Sequence, residues 1–187
     1  MTHLNGIILQ LAGNGQLIAP LIESIDESSI SVSQGATFVL PSRITTYKSR
    51  SVMGPDEALY LFVANGTGSR IDLSPIRTME TLWSGQAWRG AQQIIESKNG
   101  GKIDLSGLQT LTAGDTGAHS PLEVRTINGG EMDLSKLQSI AGRGNGVKLA
   151  FGSNLFALPE LTQATLFSAT AASGQTLSMP KLFVHKQ

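Results

Sequence analysis

Three aspartates recur in near-identical settings: Asp72 in GSRIDLS (68–74), Asp104 in GKIDLS (101–106) and Asp133 in GEMDLS (130–135). Each stands between two apolar residues, which in an extended strand point to the opposite face and leave the carboxylate outward. If successive phrases stack, the three carboxylates form a column in which like charges repel. A bound cation would relieve that repulsion, and Ca²⁺ takes several carboxylate and carbonyl oxygens at once. Basic neighbours offer the alternative. Arg70 and Lys102 lie two positions ahead of the first two aspartates on the same strand face, and Glu131 breaks this compensation at the third. The chain has no EF-hand spacing and no Gly-Gly-x-Gly-x-Asp phrase, so the metal reading of Asp72, Asp104 and Asp133 rests on alignment alone.

A second set of candidates lies between the repeats. Both tryptophans, Trp83 and Trp88, fall in one inserted segment beside Arg89, and other insertions carry Arg50, Asp56, Asp115, His119 and Arg143. Aromatic faces with Arg and Asp nearby suit a sugar, by stacking on its apolar face and bonding its hydroxyls. A tryptophan in a long loop can equally fold back and cover the side of the scaffold. The ligand-binding candidates are therefore Trp83, Trp88, Arg89, Asp115, His119 and Arg143, with a glycan or a surface protein as partner.

Catalytic signals are thin. Polysaccharide lyases and hydrolases need paired acids, or an Arg or Lys base, on one strand face. The chain has no Asp-Asp pair, Asn-Thr-Asp or Arg-Ile-Lys. His3, His119 and His185 are scattered and suggest no triad or metal set. Ser74, Ser106 and Ser135 recur without a recurring base, which makes them corner residues. Asn65-Gly-Thr67 fits a glycosylation sequon but reads as a turn. No catalytic residue is assigned. A carbohydrate-degrading enzyme is the one enzymatic alternative worth testing.

The elements that must position these residues follow from the same phrase. Its general form is apolar, variable, apolar, then Ser or Pro, with a further apolar anchor two or three residues on. The first apolar position is Leu17, Phe38, Ile71, Ile103, Met132, Phe156 and Leu177, in steps of 21 to 33 residues. The second is Ala19, Leu40, Leu73, Leu105, Leu134, Leu158 and Met179. Each phrase follows another alternating run, such as Leu59 to Val63 or Val147 to Phe151, and a Gly-containing turn. Alternation of period two predicts half-buried strands, and a unit repeated at this period predicts a solenoid. The expected fold is all-β: a single-domain right-handed parallel β-helix spanning residues 1–187, of about seven coils of 21–33 residues. The insertions Lys48–Ala58, Trp83–Ala91, Ala113–Pro121 and Ala141–Gly146 share one position in the repeat, and hence one flank.

A leucine-rich repeat is the rival solenoid, encouraged by Leu108-Gln-Thr-Leu and Leu137-Gln-Ser-Ile. It calls for a fixed Asn ladder and often a helical side, and no clean helical stripe runs over three turns here. A short helical turn is expected only at 90–97. Runs such as NGGKIDLSGLQTL (99–111) resemble the repeats of very large bacterial surface and adhesin-type proteins that fold as right-handed parallel β-helices. The resemblance covers about residues 65–140, implies an extracellular, mostly non-catalytic scaffold, and transfers no site residue.

Composition sets the bounds. Lys+Arg and Asp+Glu both number 14, which leaves no basic footprint for nucleic acid or a membrane surface. Charged residues are 15% and Gly numbers 21, as a turn-rich β fold would have. There is no cysteine, and so neither disulfide nor thiolate site. No apolar run is long enough to span a membrane as a helix, and no signal peptide is readable. The expectation is a structural or adhesive segment of a larger bacterial surface or secreted protein, extracellular or on the cell surface. The alternatives are a carbohydrate-binding or polysaccharide-degrading β-helix, and a solenoid that self-associates through its ends.

Overall fold

Runs of alternating apolar and polar residues, each closed by a Gly, Pro or Ser corner, can bury one face only by stacking on other such runs. The computed structural model, which describes residues 3–49, 58–81, 92–113, 121–144, 146–152 and 156–182, does this throughout. The chain opens with β1 (Ile8–Leu11) and β2 (Gln16–Ile18). It continues with β3 (Ser29–Ser33), β4 (Thr37–Val39) and β5 (Thr46–Lys48), then β6 (Ala58–Asn65), β7 (Arg70–Asp72) and β8 (Thr78–Thr81). The next circuits are β9 (Gln92–Lys98), β10 (Lys102–Asp104) and β11 (Thr110–Ala113), then β12 (Leu122–Ile127), β13 (Glu131–Asp133) and β14 (Ser139–Gly142). The chain continues through β15 (Val147–Phe151), β16 (Phe156–Ala157), β17 (Gln163–Thr165), β18 (Phe167–Ala171) and β19 (Leu177–Ser178).

Every one of these pairings is parallel. A large sheet of seven strands runs β1-β3-β6-β9-β12-β15-β18. Two five-stranded sheets run β13-β10-β7-β4-β2 and β17-β14-β11-β8-β5, and β16 pairs with β19. The chain visits the sheets in rotation, an arrangement compatible with a parallel β-helix. No helix occurs among the described residues, and none there is long and apolar enough to cross a membrane. The helical turn expected at 90–97 is overturned for 92–97, where β9 runs instead. There, Gln93, Ile95 and Ser97 turn inward in strand alternation.

Register puts like residues in columns. Leu17, Phe38, Ile71, Ile103 and Met132 are Cα partners in succession, as are Leu9, Ile30, Phe62, Ile95, Val124, Leu149 and Ala169 in the large sheet. The inner members of these columns belong to one hydrophobic cluster, and Leu9, Leu17, Met132 and Ala169 at the column ends pack against it half-buried. Burying an aliphatic side chain contributes about 1.5–3 kcal/mol, so the repeated apolar pair is the main source of stability. Tyr47 packs its ring 4.8 Å from that of Phe62 and donates its hydroxyl to the Ser28 carbonyl at 2.9 Å.

Corners are equally regular. The N–H of the anchor residue bonds the carbonyl three residues back in Ile76→Leu73, Leu108→Leu105 and Leu137→Leu134. Gly130 stands where the end of β9 in the preceding circuit passes close, and a Cβ there would collide with the Ser97 carbonyl oxygen. Asn99 donates from Nδ2 to Asn65 Oδ1 (2.8 Å), and Asn128 donates to Asn99 Oδ1 (3.3 Å). The short Asn ladder wanted by a leucine-rich repeat thus occurs at the turn of a wholly β stack.

Candidate functional site

The aspartate column forms as the repeat predicts. Val39, Asp72, Asp104 and Asp133 are successive Cα partners on the outer face of the second sheet. Each carboxylate has local work. Oδ1 of Asp72, Asp104 and Asp133 accepts the N–H of Ser74, Ser106 and Ser135 at 3.1, 3.1 and 2.8 Å. This is the side-chain turn that Asp favours at a corner. Arg70 Nη2 bridges two rungs, 3.1 Å from Asp72 Oδ2 and 2.8 Å from Asp104 Oδ2. Lys102 instead reaches Glu131 at 2.7 Å, so the residue that broke the sequence pattern is the partner of the next base. Burial raises the Asp72 carboxyl, but the Ser74 hydrogen bonds and the Arg70 guanidinium outweigh it and hold the group below its ordinary value. Among the described residues no group of three or more His, Asp or Glu is placed to hold a metal ion.

The insertion candidates lie mostly elsewhere. Trp83, Trp88, Arg89, Asp115 and His119 fall outside the described residues, as do Arg50 and Asp56. Arg143 is described: it is exposed, and its N–H bonds the Ala113 carbonyl at 2.8 Å. The insertions do leave from one place. β5, β8, β11 and β14 are paired in register, and each is followed by the segment that leads back to the large sheet.

The richest chemistry among the described residues is on the outer face of the large sheet. Arg125 on β12 is the Cα partner of Glu96 on β9, and Glu123 is the partner of both Ile94 and Lys148. Glu96 is only 1% exposed although it points away from the core. Arg125 closes on it with Nε and Nη2, both 2.6 Å from Oε2, while Nη1 lies 3.1 Å from Glu123 Oε2. Lys98 Nζ sits 2.5 Å from Glu96 Oε1, an ion-pair contact without hydrogen-bond alignment, and Lys148 is 3.4 Å from Glu123. Burial raises the Glu96 carboxyl, but Lys98 and Arg125 pull it down by more. Burial lowers Arg125, and Glu96, Glu123 and Tyr60 lift it further. A carboxylate held ionised between two cations neither donates nor takes a proton near neutrality.

Next to this network is a groove of about 400 Å³ across β1, β3 and β6, whose lining includes Ile8, Ser29, Ser31, Tyr60, Val63 and Lys98. A register shift between Tyr60 and Phe62 lies beside it: Leu61 is the extra residue, and Leu61 and Phe62 are both buried while Tyr60 stays outside. Tyr60 remains 40% exposed, with its hydroxyl 3.5 Å from Arg125 Nη2.

No protein-family model, no curated protein and no solved structure matches this chain.

Glu96, Glu123 and Arg125 were not singled out from sequence, yet the signal was present. Glu96 and Arg125 each stand seven residues before the first apolar position of the following phrase, Ile103 and Met132. Equal offsets from equivalent positions place them side by side when the phrases stack.

Proposed function

We propose that this chain is a right-handed parallel β-helix of about seven coils, serving as a non-catalytic structural and adhesive segment of a bacterial surface or secreted protein. The observation that carries this reading is the occupancy of its aligned acids. Glu96 and Glu123 share Arg125 and take Lys98 and Lys148, and Asp72 and Asp104 share Arg70. Such carboxylates fasten one coil to the next and are not poised as a general acid and base. The insertions that leave from one corner supply a flank for contact with a glycan or another surface protein, outside the cell.

The test is to incubate the full chain with acidic and neutral polysaccharides, following reducing ends and unsaturated products. In parallel, beads coated with it are scored for retention on glycan-bearing and bare surfaces. Retention without turnover is the expected result. Turnover that disappears in Glu96→Gln would overturn the scaffold reading in favour of an enzyme.

A further inference from the structure

The groove beside Tyr60 has the features of a ligand site rather than of bare sheet surface. Its rim carries two of the large exposed apolar side chains, Ile8 (69% exposed) and Tyr60 (40%). Its lining includes Ser29, which is 8% exposed and whose hydroxyl has no hydrogen-bond partner. A buried hydroxyl without a partner costs free energy unless something bonds it. Ser31 adds a second hydroxyl one pleat along the same face. At the far side stands Lys98, paired with Glu96 in a network where, among the described residues, Arg125, Lys98 and Lys148 meet Glu96 and Glu123. That local surplus of positive charge faces the groove through the Lys98 ammonium.

We infer that this groove binds a short acidic oligosaccharide, with a sugar ring on Tyr60 and Ile8, its hydroxyls on Ser31 and on a Ser29 hydroxyl turned outward about χ1 from its shielded position, and a carboxylate near Lys98. An aromatic plate beside hydroxyls matches the two-sided chemistry of a sugar, and the net positive charge of the network around the Glu96-paired Lys98 favours an anionic one. The groove crosses successive strands about 4.8 Å apart, so a ligand lies across the stack and touches three coils at once. This rests on the scaffold reading, since it treats the charge network as fixed.

Calorimetric titration of the full chain with uronic-acid oligosaccharides, and with neutral oligosaccharides of equal length, tests it. The expected result is binding of the acidic series alone, weakened by added salt and reduced about tenfold or more by Tyr60→Ala. Ser31→Glu, which puts a carboxylate in the groove, should abolish it. Circular dichroism and melting of both variants show that they remain folded. Three results overturn the groove: no binding of the acidic series, equal binding of the neutral one, or binding lost in Trp83→Ala with Trp88→Ala but kept in Tyr60→Ala. Cleavage of the bound oligosaccharide would sink the scaffold reading and leave the groove in place.

Discussion

Arg125 and Glu96 stand opposite each other on neighbouring strands of the large sheet, and the guanidinium closes on one carboxylate oxygen with two nitrogens at 2.6 Å. The pair lies on the outer face yet is largely shielded from water: the Glu96 side chain is 2% exposed and that of Arg125 21%. It joins the groove to the rest of the sheet through Tyr60, and its loss should be felt in both stability and pH response.

Glu96→Gln leaves Arg125 and Lys98 facing a neutral amide in a shielded place. Breaking a buried ion pair by removing one partner costs about 3–5 kcal/mol, and the partial exposure of Arg125 puts this case near the lower end. Chemical denaturation should show that loss with an unchanged denaturant slope. A loss below about 0.5 kcal/mol would mean that water screens the pair as it does at an open surface.

The pH response follows from the direction of the shift. Glu96 is held below its ordinary value of 4.5 and Asp72 below 3.8, so each stabilises the fold fully above those values. The contribution is lost as pH falls through the lower folded values. Melting temperature should therefore be flat just above pH 5 and fall below about pH 4.5. The gap between the natural chain and Glu96→Gln should narrow over the same interval. A gap that stays constant down to pH 2 would refute the linkage.

The aspartate column should be indifferent to chelators. Asp104→Asn keeps an oxygen for the Ser106 N–H and loses only a half-exposed ion pair, at about 0–1 kcal/mol. Asp104→Ala also removes the acceptor of the corner and should cost about 1 kcal/mol more. Melting should be unchanged by EDTA or by added Ca²⁺. A Ca²⁺-dependent rise that vanishes in Asp104→Asn would establish a cation site on the column.

Two adjacent glycines should behave differently. Gly130→Ala drives a methyl into the Ser97 carbonyl and forces neighbouring coils apart, at about 1–3 kcal/mol. Gly129 has φ +76° and open space around it, so Gly129→Ala pays only for the left-handed backbone, about 1–2 kcal/mol. Comparative melting of the two variants, read with proteolysis at the 128–131 corner, separates a clash from a conformational cost. Equal effects with equal cleavage would argue that the corner is more open than described.

The phrase carried by Asp72, Asp104 and Asp133 was legible because its meaning is local. Alternation makes Ile103 and Leu105 point inward whatever lies beside them, and Ser or Pro with Gly turns the chain wherever it occurs. The strands, the columns from Leu17 to Met132, and the outward aspartates can all be read this way. The helical turn expected at 90–97 was misread over 92–97 because Gln92 to Lys98 is apolar and charged in a mixture that fits either period. Its pairing with β6 and β12 decides for the strand.

By itself, then, the sequence determined which side chains face the core and where the chain turns, since both depend on residues adjacent in the chain. Only the tertiary structure decided which charges meet. Arg70 bridges Asp72 and Asp104, Lys102 chooses Glu131, and Arg125 settles between Glu96 and Glu123. Those choices depend on the number of residues in each circuit, which sets the register, and on the single extra residue at Leu61. A shift of one position in either would turn an outward charge toward the core. The physical reason is the strand spacing: stacking brings residues separated by a whole circuit to about 4.8 Å, closer than any residue of the same strand except the immediate neighbour.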